Sequence, residues 1–316
     1  MSEKSPPCAP ALALLTLSSG ATIPSLGYGV GTAWYKCSLD ESKRGALKAS
    51  VKAALTAGFR HLDEAELYQN EEATGEALQE WLEAHPDVPR EQLFITSKVM
   101  SVDEGIEAVC RKSLQAMGCD YFDLYLIHAP FQREAGAPFA TPLADAWAQM
   151  ESLVEKGLVR SIGVSNWRVV DLAEIFDGAK IKPCCNQIEA HPYLRQPTLE
   201  RWCAERHILL TAYAPLAPLT RAALAGGPVD APVAAAAAAH DATPAQVLLR
   251  WSLQTGHGII TTTSKPDRLA EYLAVTTFEL TEAEVAAISA AGATSPTRFF
   301  WTQCKQFDAD PRKEFE

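Results

Sequence analysis

Eight apolar runs of strand length alternate strictly with segments of helical period, and this constrains the fold more than any other feature of the chain. Strands are expected at residues 25–29, 61–65, 93–99, 121–128, 159–165, 183–189, 208–215 and 258–263. Several of these are continuous apolar runs, as strands buried on both faces require. Helices are expected between them at 42–57, 71–84, 102–117, 142–156, 168–176, 196–206, 244–254 and 266–273. Gly58, Gly118, Gly157 and Gly256 follow helical runs as C-caps, and Pro244 and Pro266 stand in first turns. The pattern predicts an α/β fold, a closed parallel (β/α)8 TIM barrel ringed by helices. A doubly wound open sheet would explain the alternation but not the count of eight.

Length agrees with the barrel. A prior of about 150 residues per domain gives roughly two domains, but α/β barrels commonly exceed about 250 residues as one unit. No linker interrupts the 316 residues, so a single domain over 1–316 is expected. Two pieces lie outside the repeat. Residues 14–16 and 21–24, joined by 18–20, form an N-terminal hairpin that could close the barrel floor. An extra C-terminal helix over 281–290 carries Thr281 and Glu284 at capping-box spacing, and a loop over 294–307 with Phe299, Phe300 and Trp301 follows it. The alanine run 234–239 after Pro232 is expected to be a surface helix.

Composition excludes several function classes. Hydrophobic residues at 47% and charged residues at 21% exclude a disordered chain. Lys plus Arg number 28 against 39 Asp plus Glu, a formal net charge of −11, which argues against a nucleic-acid surface while leaving room for a local basic pocket. The same charge suits a monomer or weak oligomer. No apolar run reaches the roughly 18 residues that a membrane span needs. Residues 1–11 show no basic region followed by an apolar one, so a cytoplasmic rather than secreted protein is expected. The eight cysteines include no C-x-x-C pair and suggest reduced core thiols, Cys184–Cys185 among them. The seven histidines include no i, i+4 pair, and no metal site is expected.

Chemistry in such a barrel gathers at the C-terminal ends of the strands. The expected strand ends supply Asp63, Lys98 and His128, with Tyr68 in the loop after Asp63. A buried charge needs a partner, and Asp63 with Lys98 is the natural pair across neighbouring strands. A phenol with the usual pKa of about 10 gives up its proton reluctantly at neutral pH. A neighbouring ammonium is expected to lower that value and make Tyr68 a general acid. His128 could hydrogen-bond a carbonyl oxygen and orient it. Singly, each residue has a bland reading: a turn-capping Asp, a solvated Lys, a packing Tyr, a satisfied core His. Their joint occurrence on consecutive strand ends carries the argument.

These residues resemble the aldo-keto reductases. The segment Gly58-Phe-Arg-His-Leu-Asp63-Glu-Ala-Glu-Leu-Tyr68-Gln-Asn-Glu-Glu is similar to that family's first motif, Ile95-Thr-Ser-Lys98 to its lysine motif and Asp123-Leu-Tyr-Leu-Ile-His128 to its histidine motif. Gly163-Val-Ser-Asn166-Trp and Asn186-Gln187 resemble its nicotinamide-contact motifs. The match runs in order from about residue 17 to about residue 280. It implies a catalytic tetrad of Asp63, Tyr68, Lys98 and His128 with Tyr68 as proton donor. It implies further that Ser165, Asn166 and Gln187 hold the nicotinamide carboxamide, that Tyr213 stacks on its ring, and that Trp34 forms an aromatic wall of the substrate pocket.

The chain departs from the resemblance at three places. Glu64 follows Asp63 where the family usually has a small residue. Ala129-Pro130 stands where many aldose-reductase-like members have a tryptophan, which implies a wider pocket. Trp167 replaces the usual Phe or Tyr. Phe131, Phe299, Phe300 and Trp301 could line an apolar substrate pocket.

The cluster Gly27-Tyr-Gly29-Val-Gly31-Thr lacks the third glycine of a dinucleotide fingerprint and no helix follows it directly, so that motif is rejected. Phosphate recognition is expected instead at Thr261-Thr262-Thr263-Ser264-Lys265-Pro-Asp-Arg268. Lys265 and Arg268 are placed in the first turn of the last barrel helix, where free N–H groups favour anions and two cations would strengthen the site. The plain alternative is a surface turn in which Asp267 and Glu271 neutralise Arg268. The family places the adenosine 2′-phosphate here, which implies NADPH over NADH, with contact shifted from Thr262, often Lys in relatives, to Lys265. This stretch and Ala129 look most like the fungal-type branch that includes conjugated polyketone (ketopantoyl lactone) and α-keto amide reductases. The resemblance implies NADPH-dependent reduction of small-molecule ketones and aldehydes, activated α-dicarbonyls foremost, to alcohols. The rivals are an aldose or xylose reductase and a non-catalytic NADPH-binding subunit on the same fold.

Overall fold

The computed structural model describes residues 13–37, 40–132, 136–304 and Phe307, so the expectation about residues 1–11 lies outside the described residues. β1 (Leu14–Thr16) and β2 (Thr22–Pro24) pair as an antiparallel hairpin. Eight strands then close a barrel: β3 (Leu26–Gly29), β4 (His61–Asp63), β5 (Phe94–Val99), β6 (Phe122–Ile127), β7 (Val159–Ser165), β8 (Cys185–Glu189), β9 (Leu209–Tyr213) and β10 (His257–Thr261). Every neighbour in the barrel is parallel, and β10 pairs with β3 to complete the ring. The (β/α)8 expectation is correct.

α1 (Glu41–Ala57), α2 (Glu71–Ala84), α3 (Ile106–Met117), α4 (Leu143–Glu155), α5 (Val169–Phe176) and α6 (Pro197–Ala204) each connect consecutive strands. α7 (Ala217–Thr220), α8 (Asp230–Ala239) and α9 (Pro244–Gln254) lie between β9 and β10, and α10 (Asp267–Leu273) and α11 (Glu282–Ala293) come after β10. Among the described residues no helix is long and apolar enough to cross a membrane.

The helices end where their caps dictate. Gly58 closes α1 at φ +118° and donates its N–H to Leu55 O, a conformation that costs glycine nothing. The expected capping box holds at α11, where Thr281 accepts from the Glu284 N–H. The helix expected over 102–117 is instead a short turn, Val102–Glu104, followed by α3, because Gly105 at φ +92° breaks the backbone between them. The alanine-rich helix begins at Asp230, before Pro232, and buries Val233, Ala236 and Ala237 on one face. It is therefore half core and not purely surface. Gly75 sits inside α2 because a Cβ there would lie 2.6 Å from Met117 Cα of α3.

The hairpin covers the floor of the barrel. Leu17 and Ile23 are buried against Phe94, Leu124, Leu126, Cys184 and Cys185. At about 1.5–3 kcal/mol for each large apolar side chain, this plug contributes materially to closing that end. The opposite, C-terminal end of the strands is left to chemistry.

Candidate active site

The centre of the C-terminal face is one saturated ammonium. Asp63 ends β4 opposite Thr96 of β5, and Lys98 lies two residues further on, on the same face of the strand. Lys98 Nζ donates to Asp63 Oδ1 at 2.6 Å, to Glu64 O at 2.9 Å and to the Tyr68 hydroxyl at 3.3 Å. Asp63 Oδ2 accepts from Gln187 Nε2 at 2.7 Å. The Lys98 and Asp63 side chains are 0% and 2% exposed, so this is a fully hydrogen-bonded pair in the interior, the only form in which such charges are tolerated there.

Tyr68 comes from a single turn, Glu66–Tyr68, between β4 and α2. Its carbonyl accepts from Lys36 N at 2.8 Å. Its ring lies flush against Gly31, where a Cβ would stand 2.7 Å from Cζ. The His128 ring meets it edge to face at 5.7 Å, one residue beyond β6. The four residues expected to act together are therefore brought to one place.

The expected lowering of the Tyr68 pKa is not found. The ring keeps partial exposure yet is densely surrounded. Burial first, then the Asp63 carboxylate and then that of Glu64, hold its hydroxyl well above the ordinary 10.0. The ammonium does not offset this, because its shortest bond goes to Asp63 and the phenol is its most distant partner. The phenol stays protonated across the neutral range.

A second polar group lies at the ends of β7 and β8. Ser165, Asn166 and Gln187 are 1%, 4% and 3% exposed. Asn166 Nδ2 donates to His128 O at 2.9 Å and to Ser165 Oγ at 3.0 Å, and Ser165 Oγ donates to Gln187 O at 2.8 Å. Tyr213 at the end of β9 donates its hydroxyl to Asn166 Oδ1 at 2.8 Å. Asn166 itself has φ +61°, a left-handed conformation that asparagine tolerates better than most residues and that recurs at functional sites. Among the described residues no group of His, Cys, Asp or Glu is placed to hold a metal ion.

The pocket candidates divide. Ala129 and Phe131 pack with Met100, Cys304 and Phe307, and Trp301 joins them, its ring 5.7 Å from Phe131 and 5.9 Å from His128. Trp34 is buried in the main core cluster, against which Tyr68 also packs, and its carbonyl accepts from Asn70 Nδ2.

At the far end, Thr263 O accepts from Tyr28 OH at 2.8 Å and Thr263 Oγ1 accepts from Lys265 N at 3.0 Å, while Thr262 Oγ1 is buried with no hydrogen-bond partner. Ser264, Lys265 and Arg268 are exposed. Lys265 lies just before α10 and not in its first turn, because the helix begins at Asp267, with Pro266 at its N-cap. The neutralising turn does not form: Glu271 accepts from Thr243 Oγ1, and no ion pair joins Arg268 to Asp267 or Glu271 among the described residues.

Glu64, the unusual neighbour of Asp63, is fully buried. Oε2 accepts from Ala65 N at 2.8 Å, and Oε1 has no hydrogen-bond partner. Burial, then the nearby Glu71 carboxylate, drives its pKa well above 4.5. The folded state therefore holds a proton that the unfolded chain releases, and stability falls as pH rises above 4.5 toward the folded value, by about 1.4 kcal/mol per unit. Glu64→Gln removes this penalty. In urea unfolding, its stability relative to wild type is expected to improve as pH rises above 4.5. A difference that stays constant with pH would mean that Glu64 is already ionised.

One buried strand-end charge escaped the sequence reading. Glu189 closes β8 with 0% exposure, and its carboxylate accepts from the Phe299 and Phe300 backbone N–H groups of the C-terminal segment. Like Asp63 and Lys98, it stands toward the C-terminal end of a buried barrel strand, where chemistry gathers.

The model of the aldo/keto reductase family matches residues 26–293. The chain is 40% identical over 292 residues to an NAD/NADP-dependent indole-3-acetaldehyde reductase of Schizosaccharomyces pombe, covering 91% of this chain and 98% of that protein. It is 35% identical over 305 residues to a glycerol 2-dehydrogenase (NADP(+)) of Hypocrea jecorina, covering 90% and 93%. The solved aldose reductase of Schistosoma japonicum superimposes with a TM-score of 0.83 at 31% identity, over 96% of this chain and all of that one.

Proposed function

This chain belongs to the aldo/keto reductase family, and from that premise we propose that it reduces activated ketones and aldehydes with NADPH, using Tyr68 as proton donor. The observation that carries the proposal is the single ammonium of Lys98, shared between Asp63 and the Tyr68 hydroxyl beside His128. His128 and Tyr68 bind the carbonyl oxygen and orient it. The Tyr68 hydroxyl passes its proton to that oxygen, and its raised pKa keeps the proton in place until negative charge builds there. Lys98 then stabilises the phenolate, and Asp63 and Gln187 keep Lys98 in position.

The residues present suit a nicotinamide cofactor. Ser165, Asn166 and Gln187 form a buried set of amide and hydroxyl groups at adjoining strand ends, the chemistry that a carboxamide requires. Tyr213 beside them would support the ring. Bound NADPH supplies hydride to the carbonyl carbon. Thr262, with its unpartnered hydroxyl, and Thr263, Ser264, Lys265 and Arg268 would take the adenosine 2′-phosphate. Neutralising both cations, Lys265→Met with Arg268→Met, is expected to weaken NADPH binding at least about tenfold, one or two charge-assisted contacts, and NADH binding far less. Fluorescence titration checks this, and equal losses would remove the phosphate assignment.

Trp301, partly exposed beside the buried Ala129 and Phe131, favours flat, apolar carbonyls, α-dicarbonyls foremost, as in the polyketone reductase branch. The name of the Schizosaccharomyces pombe relative, which concerns an indolic aldehyde, supports an aromatic substrate. Following loss of reduced-nicotinamide absorbance with ketopantoyl lactone, isatin, an α-keto ester and xylose separates the readings. Activity confined to the dicarbonyls supports the proposal, and xylose as the best substrate moves the chain to the aldose-reductase class. Whole-chain action as one barrel domain, monomeric or weakly associated, completes the proposal. A cytoplasmic location is supported by the seven described cysteines, all free.

A further inference from the structure

The C-terminal segment is fastened by a carboxylate that the mechanism above does not use. Glu189 Oε1 accepts from Phe299 N at 2.9 Å and from His191 Nε2 at 3.1 Å, and Oε2 accepts from Phe300 N at 3.0 Å. Beside this hook, Thr297 N donates to Tyr193 O at 2.8 Å, so one short stretch after β8 holds the segment at two points. The aromatic rings at and just past the hook face the site. Phe300 packs edge-on against Tyr213 at 5.3 Å, and Trp301 meets His128 and Phe131. Trp301 has φ +61°. A bulky residue keeps such a backbone only where its surroundings over-determine it.

Of the contacts at Glu189, those from the Phe299 and Phe300 N–H groups tie that segment, and a carboxylate roughly doubles the strength of each hydrogen bond it receives. The Arg221 guanidinium lies 5.1 Å and 5.0 Å from the Phe299 and Phe300 rings and restrains them from the other side, but only through their faces. At Phe299 and Phe300 themselves the backbone N–H groups are held by the carboxylate.

We propose that Glu189 is a positioning residue that fixes the wall formed by Phe300 and Trp301 through their backbone and thereby selects flat, bulky carbonyls over small ones. This rests on the reductase reading above. A merely structural Glu189 would lower stability without changing which substrate is preferred. A positioning Glu189 changes the preference, because a wall displaced by an ångström no longer meets a large ring while a small carbonyl never reached it.

Two readouts test the proposal on the full chain: KM and kcat with NADPH for isatin and for methylglyoxal, and amide exchange of the peptide spanning residues 296–303. Glu189→Gln is nearly isosteric and keeps one acceptor, but turns an amide NH2 toward the other backbone N–H. It is expected to raise KM for isatin about tenfold, to change KM for methylglyoxal far less, and to speed exchange at Phe299 and Phe300. Glu189→Ala is expected to go further in the same direction. Trp301→Ala should lose the same selectivity in the wild-type background and add little in the Glu189→Gln background, since both act on one wall. Unchanged exchange in Glu189→Gln overturns the anchor. Faster exchange with unchanged preference, or an equal loss for both substrates, overturns the role in selection. The Glu189→Gln and Trp301→Ala pair carries the test if Glu189→Ala does not fold. If the wild type reduces neither carbonyl, the reductase reading and the selection claim both fail, while the exchange result still decides the anchor.

Discussion

Tyr68→Phe is expected to lower kcat by about 10²–10⁴-fold while NADPH still binds, because only the group that delivers the proton is lost. The ring remains against Gly31 and His128, so the pocket keeps its shape. The hydrogen bond removed is the 3.3 Å contact from the Lys98 ammonium, and hydrogen bonds to charged groups are worth about 1.5–3 kcal/mol to stability. Steady-state kinetics beside a urea melt separate the two effects. A variant that keeps most of its turnover would mean that the carbonyl oxygen takes its proton from another group, with His128 the nearest ring.

Lys98→Met should damage both fold and activity. The substitution leaves Asp63 buried, with Gln187 Nε2 as its remaining side-chain donor. Breaking one side of a buried pair costs about 3–5 kcal/mol, a large part of the roughly 5–15 kcal/mol that holds a typical domain together. Converting Asp63 to Asn in the same chain removes the stranded charge, so the double variant is expected to recover part of the stability and none of the activity. Urea unfolding of the two single variants and the double variant measures this as a thermodynamic cycle. Equal stability for wild type and Lys98→Met would show that the pair contributes nothing to the barrel, contrary to the geometry.

The barrel was legible because its strands are short apolar runs separated by helices of clear period, a pattern that only a parallel sheet covered on both faces satisfies. The hairpin and the α11 capping box were legible for local reasons: a turn ending in Gly20 and a Thr–Glu pair at capping distance. Asp63, Lys98 and His128 followed from their places at strand ends. The direction of the Tyr68 shift did not follow, because it depends on which of two acceptors stands closer to one ammonium, 2.6 Å against 3.3 Å, and on how densely the phenol is packed. Gly105 was hidden inside a stretch whose composition is otherwise helical, and only its φ of +92° separates the short turn from α3. Nor does the turn before α10 show in composition: Asp267 and Glu271 flank Arg268 in sequence, yet Glu271 is engaged by Thr243 instead. Glu189 was visible as a charge closing an apolar strand, but its partners lie 110 and 111 residues away, a pairing that no local pattern encodes.

The measurement that bears most directly on the central claim is the fate of a label. The protein would be given NADPH carrying deuterium as the transferable hydride, with isatin as substrate in ordinary water, and the product alcohol examined by mass spectrometry. One deuterium at the carbinol carbon is the predicted result, with none incorporated there when the label is in the solvent instead, since Tyr68 delivers its proton to oxygen. Bound NADPH with no labelled alcohol from any carbonyl tried would contradict the account and leave a cofactor-binding protein without the chemistry.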